Sequence, residues 1–169
     1  MKQGFQETYD GGTFFDSYLE EIHVDETPVR MHIFDTSGNP SLQSSRHQWC
    51  QQGMAFIIVF SQASKTTFDH VGQFKEEISR VHPEGCPIAL VGTKADLRQR
   101  EVSAEEVSQM ADDLGAQYFN TSANDYEAAI RPFEYLARRH VRHRMDATMT
   151  RLCRGLWLLF SGCISQRKP

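Results

Sequence analysis

The chain has 169 residues, of which 40% are hydrophobic and 24% charged, and its formal net charge is −4. These values predict one soluble globular domain with an ordinary core. No apolar run approaches the roughly 20 residues that a membrane-spanning helix needs, and the first twelve residues lack the apolar segment of a signal peptide. The four cysteines have no metal-binding spacing, which favours a reducing, cytosolic setting.

Charge is unevenly distributed along the sequence. From Arg138 onward there are eight Lys or Arg residues and one acidic residue, so this part carries +7 and the remainder −11. A basic tail on an acidic body favours an anionic membrane surface as a partner over nucleic acid. We therefore divide the chain into a domain, residues 1–143, and a basic and apolar tail, residues 144–169.

Two alternating stretches follow a polar amino-terminal segment. Asp16–Val24 and Val29–Phe34 predict an antiparallel hairpin with a turn at residues 25–28. The next segment, Ser41–Gly53, is rich in Gln and Ser and shows no clear periodicity. The apolar run Met54–Phe60 then predicts a buried strand.

Helices and short strands alternate in the remainder of the domain. A helix is predicted after Thr66 or Thr67 by apolar residues at helical spacing, namely Phe68, Val71, Phe74, Ile78 and Val81. Ser103 and Glu106 form a capping-box pattern at the start of the next helix, and Ala128–Val141 predicts the last one. Ile88–Val91 and Gln117–Asn120 are the intervening strands. This alternation predicts an α/β fold with a parallel sheet.

Polar motifs follow three of the predicted strands at their carboxyl ends, where open α/β sheets bind ligands. They are Asp35-Thr36-Ser37-Gly38-Asn39, Thr93-Lys94-Ala95-Asp96 and Thr121-Ser122-Ala123. A carboxylate such as Asp96 can accept hydrogen bonds from the ring N–H and exocyclic amine of guanine together, a pair that adenine cannot offer. Each motif taken alone also fits an ordinary turn at the end of a strand.

In this order and spacing the motifs resemble those of the Ras superfamily of small GTPases, over roughly residues 5–143. The resemblance implies a Ras-like P-loop NTPase fold, which is an α/β, doubly wound, mostly parallel sheet with one antiparallel edge strand. It also implies a monomer that binds GTP or GDP with Mg²⁺, hydrolyses GTP and acts in Ras-type signal transduction. An effector protein would bind the strand Asp16–Val24.

The resemblance also assigns roles to single residues. Thr93, Lys94 and Asp96 would select guanine, while Ser122 and Ala123 would close the pocket.

Five further residues would surround the base, the phosphates and the metal. Phe5 would pack against guanine, and Thr13 and Asp35 would approach Mg²⁺. Gly38 would offer its backbone N–H to the terminal phosphate. Asn39 stands at the place of the glutamine that orients the attacking water. Because Asn is one methylene shorter, we expect slow hydrolysis.

The family's phosphate loop, GxxxxGK[ST], does not occur in the 169 residues, and we expect the first strand and this loop to be missing from the domain. The strands Val29–Phe34 and Met54–Phe60 would then pair with each other or expose their edges. Without the backbone N–H groups and Lys of the loop, binding of nucleotide and Mg²⁺ should be weak or lost. The chain is then either a fragment or shortened form of a full GTPase or a genuine pseudo-GTPase, and the sequence leaves both open.

A second hypothesis is a nucleotide-free scaffold that binds a partner at a membrane. In the tail, Trp157 and Phe160 among arginines suit a membrane surface, and Cys153 and Cys163 are candidates for palmitoylation. We would then expect a cytoplasmic protein with its tail on the cytoplasmic face of a membrane. The alternatives for the tail are a helix docked on the sheet left bare by the missing strand, and an unrelated segment.

Overall fold

The computed structural model describes residues 15–146 and 156–161. Within them lie six strands: β1 (Phe15–Val24), β2 (Thr27–Thr36), β3 (Ala55–Ser61), β4 (Ile88–Thr93), β5 (Gln117–Asn120) and β6 (Leu156–Ser161). The helices are α1 (Gln43–Gln52), α2 (Lys65–Asp69), α3 (Val71–Val81), α4 (Ala104–Leu114) and α5 (Tyr126–Asp146), and a 3₁₀ turn covers Pro40–Leu42. The strands form one sheet in the order β1-β2-β6-β3-β4-β5.

The sheet is parallel apart from its first strand. β1 pairs antiparallel with β2, and the pairs β2–β6, β6–β3, β3–β4 and β4–β5 are all parallel. The hairpin turns at Asp25 and Glu26, whose φ angles of 48° and 65° are both positive, as a type I′ turn requires. The predicted Ras-like, mostly parallel sheet with one antiparallel edge strand is confirmed.

Alternate residues of the central strands face two separate cores. Along β3, Phe56, Ile58 and Phe60 pack with α1, α3 and α4, whereas Ile57 and Val59 pack with α5. Both sets are almost completely buried, because a parallel sheet covered by helices has no solvent-facing side. This is why the strand sequences are continuous apolar runs.

The capping box predicted for the fourth helix is present. The Ser103 hydroxyl accepts a hydrogen bond from the Glu106 backbone N–H at 3.2 Å, and the Glu106 carboxylate accepts one from the Ser103 N–H at 2.9 Å. Gly115 ends α4 with a φ of 59°, a left-handed geometry that glycine adopts readily. The helix therefore begins and ends where the local sequence predicts.

Most of Ser41–Gly53, in which the sequence analysis predicted no helix, forms α1. Arg46 and Cys50, one turn apart, are its buried residues. One of these two inward positions holds a charged side chain, so the usual apolar periodicity of a helix is absent from the sequence. Trp49 packs beside them, stacked on Phe15 with ring centroids 4.8 Å apart.

The expectation that β2 and β3 pair with each other or expose their edges is also wrong. β6 lies between them and pairs with both. An extended segment here satisfies backbone N–H and C=O groups on two open strand edges at once, which a docked helix could not do. The docked-helix alternative is therefore wrong for Leu156–Ser161, the part of the tail that includes Trp157 and Phe160. Across the described ranges, no helix is both long and apolar enough to cross a membrane.

Candidate functional site

The carboxyl ends of β4 and β5 are joined by backbone hydrogen bonds. The Thr121 N–H donates to the Gly92 carbonyl at 2.8 Å, and the Ala95 N–H donates to the Thr121 carbonyl at 3.1 Å. Because parallel strands end at the same edge, the two loops that follow them lie side by side. The structure thus brings together two of the three motifs, which are separated by a helix in the sequence.

A side-chain contact completes this junction. The Ser122 hydroxyl lies 2.5 Å from Asp96 Oδ1 and 2.6 Å from Asn124 Oδ1. A hydroxyl has one proton, and the charged carboxylate is the stronger acceptor, so we assign the donation to Asp96. The contact fixes the Asp96 carboxylate at the carboxyl ends of β4 and β5.

Two neighbours of Asp96 have different roles. The Thr93 hydroxyl donates to the Phe60 carbonyl at 3.0 Å, so it anchors β4 to β3 in this structure. Lys94 has a φ of 59°, an uncommon left-handed conformation for a side chain of this kind, and the Leu97 N–H donates to its carbonyl at 3.1 Å. Strained residues of this type cluster at binding sites.

Helix α5 begins at Tyr126, shortly after the Thr121-Ser122-Ala123 motif. Asp125 caps the helix, since its carboxylate accepts from the Ala128 N–H at 3.0 Å. Its own N–H donates to the Ser122 carbonyl at 3.0 Å. Ala123, just before this cap, is exposed. The predicted pocket residue therefore lies at the surface, beside the fixed Ser122.

Gln62 is a site residue that the sequence analysis missed. Its amide nitrogen lies 3.2 Å from the Gly92 carbonyl and 2.5 Å from Asn120 Oδ1, and the residue is only 3% exposed. It therefore links the ends of β3, β4 and β5. The signal in the sequence is a polar pair, Ser61 and Gln62, that directly follows the apolar run of β3.

At the end of β2, two carboxylates lie on adjacent strands. Asp16 and Asp35 are direct partners in the β1–β2 ladder. Burial, and secondly the charge of Asp16, raise the pKa of Asp35 to about 6. A half-buried carboxylate beside a second, exposed one favours a bound cation, and oxygen ligands are those that Mg²⁺ prefers.

The described residues at this end of the sheet supply only some of the ligands that Mg²⁺ needs. Among the residues that the structure describes, no group of three or more His, Cys, Asp or Glu side chains could hold a metal. A metal ion bound by Asp35 would therefore take its other ligands from water, phosphate or Thr13. Thr13 and Phe5 both lie outside the described residues. When bound, Mg²⁺ would neutralise phosphate charge.

The loop after β2 is folded on itself. Asn39 Oδ1 accepts hydrogen bonds from the backbone N–H and the hydroxyl of Ser41, at 3.0 and 2.9 Å. The Asn39 N–H in turn donates to the Ser37 hydroxyl at 3.2 Å. Gly38 lies between them and is half-buried. The amide oxygen of the residue expected to orient water is thus engaged within its own loop.

Arg46 of α1 forms hydrogen bonds with the backbone of this loop. The sequence analysis did not predict this residue either. Its guanidinium donates to the carbonyls of Ser37 and Asn39, at 3.3 and 2.7 Å. It also pairs with Glu77 of α3 at 3.1 and 3.3 Å, and lies over the Phe74 ring. The position of Gly38 therefore depends on a buried ion pair between two helices.

Comparison with known proteins decides the family. A family model described as Ras family matches residues 1–142. The chain belongs to the Ras family. The resemblance to the Ras superfamily, on which the sequence analysis depended, is confirmed.

Individual relatives of this Ras-family chain agree. It is 37% identical over 117 residues to GTP-binding protein Rit2 of Mus musculus, covering 68% of this chain and 54% of that protein. It is 37% identical over 121 residues to mouse GTP-binding protein Rit1, covering 70% and 55%. Against Ras-like protein 1 of Pyricularia oryzae the identity is 30% over 167 residues, covering 86% and 68%. The chain spans about half the length of the Rit proteins it matches.

Proposed function

We propose that this chain binds guanine nucleotide at the carboxyl edge of its sheet and acts as a Ras-type switch with slow GTP hydrolysis. The observation that carries the proposal is the hydrogen bond from Ser122 to Asp96. This hydrogen bond holds the Asp96 carboxylate in one position at the carboxyl ends of β4 and β5.

A fixed carboxylate suits guanine because it accepts two N–H groups in one plane. Adenine lacks a ring N–H at the matching position, so the same carboxylate discriminates against ATP. The left-handed Lys94 stands two residues before Asp96, and its aliphatic stem would cover the face of the base. Two of the named relatives are themselves called GTP-binding proteins.

Mg²⁺ and the phosphates would bind at the same edge of the sheet, near the carboxyl end of β2. Asp35 would hold Mg²⁺, and the Gly38 backbone would meet the terminal phosphate. Hydrolysis should be slow for a structural reason: the Asn39 amide oxygen binds Ser41 and would have to be released before it could orient water.

Titration with a fluorescent GDP analogue in the presence of Mg²⁺, competed by GDP and by ATP, tests this proposal. We expect GDP to compete and ATP to fail. Asp96→Asn should weaken binding at least tenfold, because an amide cannot accept both guanine N–H groups as a charged carboxylate does. Asp112→Asn, an exposed position on α4, is the matched control and should bind as the unmodified chain does. Equal competition by ATP, or an unchanged Asp96→Asn, would contradict guanine recognition.

The edge strand favours a second candidate, a partner-binding scaffold. On β1, Leu19 is 73% and Tyr18 48% exposed, and β1 is an edge strand among the strands that the structure describes. A partner strand could pair there and cover these side chains. Leu19→Lys should then weaken binding of a recombinant Ras effector domain and leave GDP binding unchanged. Asp96→Asn should weaken GDP binding and leave binding of the effector domain unchanged, provided that this domain binds independently of nucleotide. Both are measurable by calorimetry.

A further inference from the structure

Gln62, which directly follows β3, contacts both ends of the loop between β4 and α4. At the start of this loop, the backbone N–H of Gln62 donates to the Thr93 carbonyl at 3.2 Å. At the end of the loop, the Glu101 N–H donates to the Gln62 carbonyl at 2.9 Å. Residues 94–100 therefore form a loop whose two ends are held by one residue of a neighbouring strand end.

The side chain of Gln62 adds further contacts, and its orientation is set by its surroundings. Its amide group lies 3.2 Å from the Gly92 carbonyl and 3.4 Å from the Thr93 carbonyl. Because carbonyl oxygens only accept hydrogen bonds, Gln62 presents its NH₂ group to them. The same group lies 2.5 Å from the Asn120 side chain, which therefore presents its oxygen. The amide of Gln62 thus joins the start of the 94–100 loop to the last residue of β5.

Close packing keeps Gln62 in this position. The residue is only 3% exposed, and a buried amide costs free energy unless it is hydrogen-bonded. Gly92 leaves room for it, since a Cβ atom at Gly92 would lie 3.1 Å from Gln62 Cγ. An apolar side chain could fill the same space, but it would offer no donor to the two carbonyls or to Asn120.

The 94–100 loop contains a backbone conformation that needs such support. Lys94 has a φ of 59°, and residues with a side chain persist in this region only where the surrounding structure holds them there. The Gly92 carbonyl accepts hydrogen bonds from the Gln62 side chain at 3.2 Å and from the Thr121 N–H at 2.8 Å. The start of the loop is therefore held from β3 and from β5 together.

This support bears on how Asp96, two residues after Lys94, would recognise a base. A carboxylate that accepts two N–H groups of one rigid ring needs a defined position and tilt, whereas a single hydrogen bond tolerates a wider range. Ser122 holds one oxygen of the Asp96 carboxylate, and Gln62 holds the ends of the backbone loop that carries it. Both constraints act before any ligand binds.

We propose that Gln62 is a positioning residue for guanine specificity: its amide holds the 94–100 loop so that Asp96 meets the ring N–H and the exocyclic amine of guanine together. The inference depends on the proposed guanine binding for the identity of the ligand. It does not depend on that binding for the order of the loop, which can be measured without nucleotide.

Displacement of a fluorescent GDP analogue from the full chain by GDP and by IDP, with Mg²⁺ present, tests the proposal. The base of IDP keeps the ring N–H but lacks the exocyclic amine, so the preference for GDP reports the second hydrogen bond to Asp96. We expect the unmodified chain to prefer GDP at least tenfold, as a charge-assisted hydrogen bond implies. Gln62→Leu, which removes the amide and keeps a side chain of similar size, should reduce this preference to about threefold or less.

A conservative pair of variants separates hydrogen bonding from packing at the same contact. Asn120→Leu removes the oxygen that accepts from Gln62 and should lower the preference for GDP over IDP. Asn120→Asp supplies an oxygen again and should restore most of that preference. The charge that Asn120→Asp adds acts equally on the two diphosphates, so it does not alter their ratio.

Ile78→Val is the control for general loss of stability. Ile78 is a buried residue of α3, 5% exposed, and its truncation destabilises the core without changing a contact of the 94–100 loop. Ile78→Val should therefore leave the preference for GDP over IDP unchanged. If Gln62→Leu weakens GDP and IDP binding equally and keeps their ratio, Gln62 acts on stability alone and the proposal is overturned.

Amide hydrogen exchange of the full chain without nucleotide gives an independent measurement. The reporting groups are the N–H of Ala95, which donates to the Thr121 carbonyl, and the N–H of Leu97, which donates to the Lys94 carbonyl. Gln62→Leu should accelerate their exchange at least tenfold relative to Ile78→Val. Unchanged exchange would overturn the positioning role whatever the nucleotides do. If the unmodified chain shows no preference for GDP, guanine recognition fails, and accelerated exchange still supports the role of Gln62 in holding the loop.

Discussion

At the scale of single residues, the candidate site consists of polar side chains that are held by partners distant in the sequence. Ser122 fixes Asp96 across 26 positions, and Gln62 links three strand ends. Asp35 differs from these two, because it faces Asp16, a residue of the same charge. A carboxylate that is not stabilised within the protein is available to a cation.

The pKa of Asp35 leads to a prediction on stability. It is raised from 3.8 to about 6, so the folded chain binds this proton more tightly than the unfolded chain does. Ionisation of Asp35 therefore destabilises the fold as pH rises from about 4 through about 6. Asp35→Asn removes this charge. In metal-free buffer above about pH 7 the variant should be more stable by about 1–2 kcal/mol, less than the full shift implies because solvent reaches the carboxyl.

Urea unfolding at several pH values measures this difference. It should shrink as pH falls from about 6 to about 4 and disappear below about pH 3, where Asp35 is protonated in both states. Asp16→Asn is the control, and it should recover only part of the gain, because the charge of Asp16 is the smaller of the two causes. A stability difference that does not change with pH would show that the pKa of Asp35 is not raised.

Gly92 permits a close contact that a side chain would block. A Cβ atom there would lie 2.5 Å from the Tyr118 hydroxyl and 3.1 Å from Gln62 Cγ. We expect Gly92→Ala to destabilise the fold by about 1–3 kcal/mol through overpacking. Adding Tyr118→Phe should recover part of the loss, because the phenolic oxygen is the closest atom. Thermal unfolding of the single and double variants measures both effects.

Gly72 provides the control for this substitution. A Cβ atom there would have no neighbour within 4 Å, and the residue lies inside α3. Gly72→Ala should stabilise the fold by about 0.5–1 kcal/mol, because alanine is the better helix former. If both alanine variants change stability in the same direction, close packing at Gly92 is not the cause.

At the scale of elements, the loop after β2 depends on the contact between α1 and α3. Arg46 and Glu77 are both buried, with 7% and 8% of their side chains exposed. Removing one partner leaves a buried charge, so Arg46→Met should destabilise the fold by about 3–5 kcal/mol. Arg46→Met/Glu77→Leu, which removes both charges, should cost less than the single change. Denaturant unfolding of the two variants measures this coupling.

A second ion pair on the same helix is the control. Arg80 and Glu76 of α3 are 3.5 Å apart and both largely exposed. Glu76→Gln should change stability by less than about 1 kcal/mol, because water screens an exposed pair. If Arg46→Met is as mild as Glu76→Gln, the buried pair does not hold α1 on α3.

At the scale of the whole molecule, β6 is one of the two central strands of the sheet. Proline at Leu158 would remove a backbone N–H between β2 and β3, to which this residue pairs through Ile33 and Ala55. We expect Leu158→Pro to destabilise the fold by about 3 kcal/mol or more. Amide exchange in β2 and β3 should accelerate as well. Circular dichroism melts and exchange measured by mass spectrometry provide the readouts.

The matched control places the same substitution on the edge strand. Among the described strands, Leu19 of β1 pairs with His32 of β2 alone, and edge strands tolerate proline better. Leu19→Pro should therefore cost less than Leu158→Pro and leave exchange in β3 unchanged. If the order is reversed, β6 does not contribute to the sheet as the structure indicates.

Features encoded in short stretches could be read from the sequence. The capping box at Ser103 and Glu106 and the buried runs of β3 and β4 are of this kind, and so are the three motifs at strand ends. The strand alternation predicted the fold class, because parallel sheets need helical connections. Helix α1 could not be predicted, since one of its two buried residues is Arg46, whose partner Glu77 is distant in the sequence.

The sequence by itself determined the family, the order of β1 to β5 along the chain and which of these strands end in polar motifs. These properties depend on local patterns of burial and turn formation. Only the tertiary structure decided where those motifs meet: that Ser122 reaches Asp96, that Arg46 lies under the loop at Gly38, and that Leu156–Ser161 fills the gap between β2 and β3. A strand's neighbours are set by backbone hydrogen bonds, which every residue except proline can donate and accept, so side-chain patterns do not specify them.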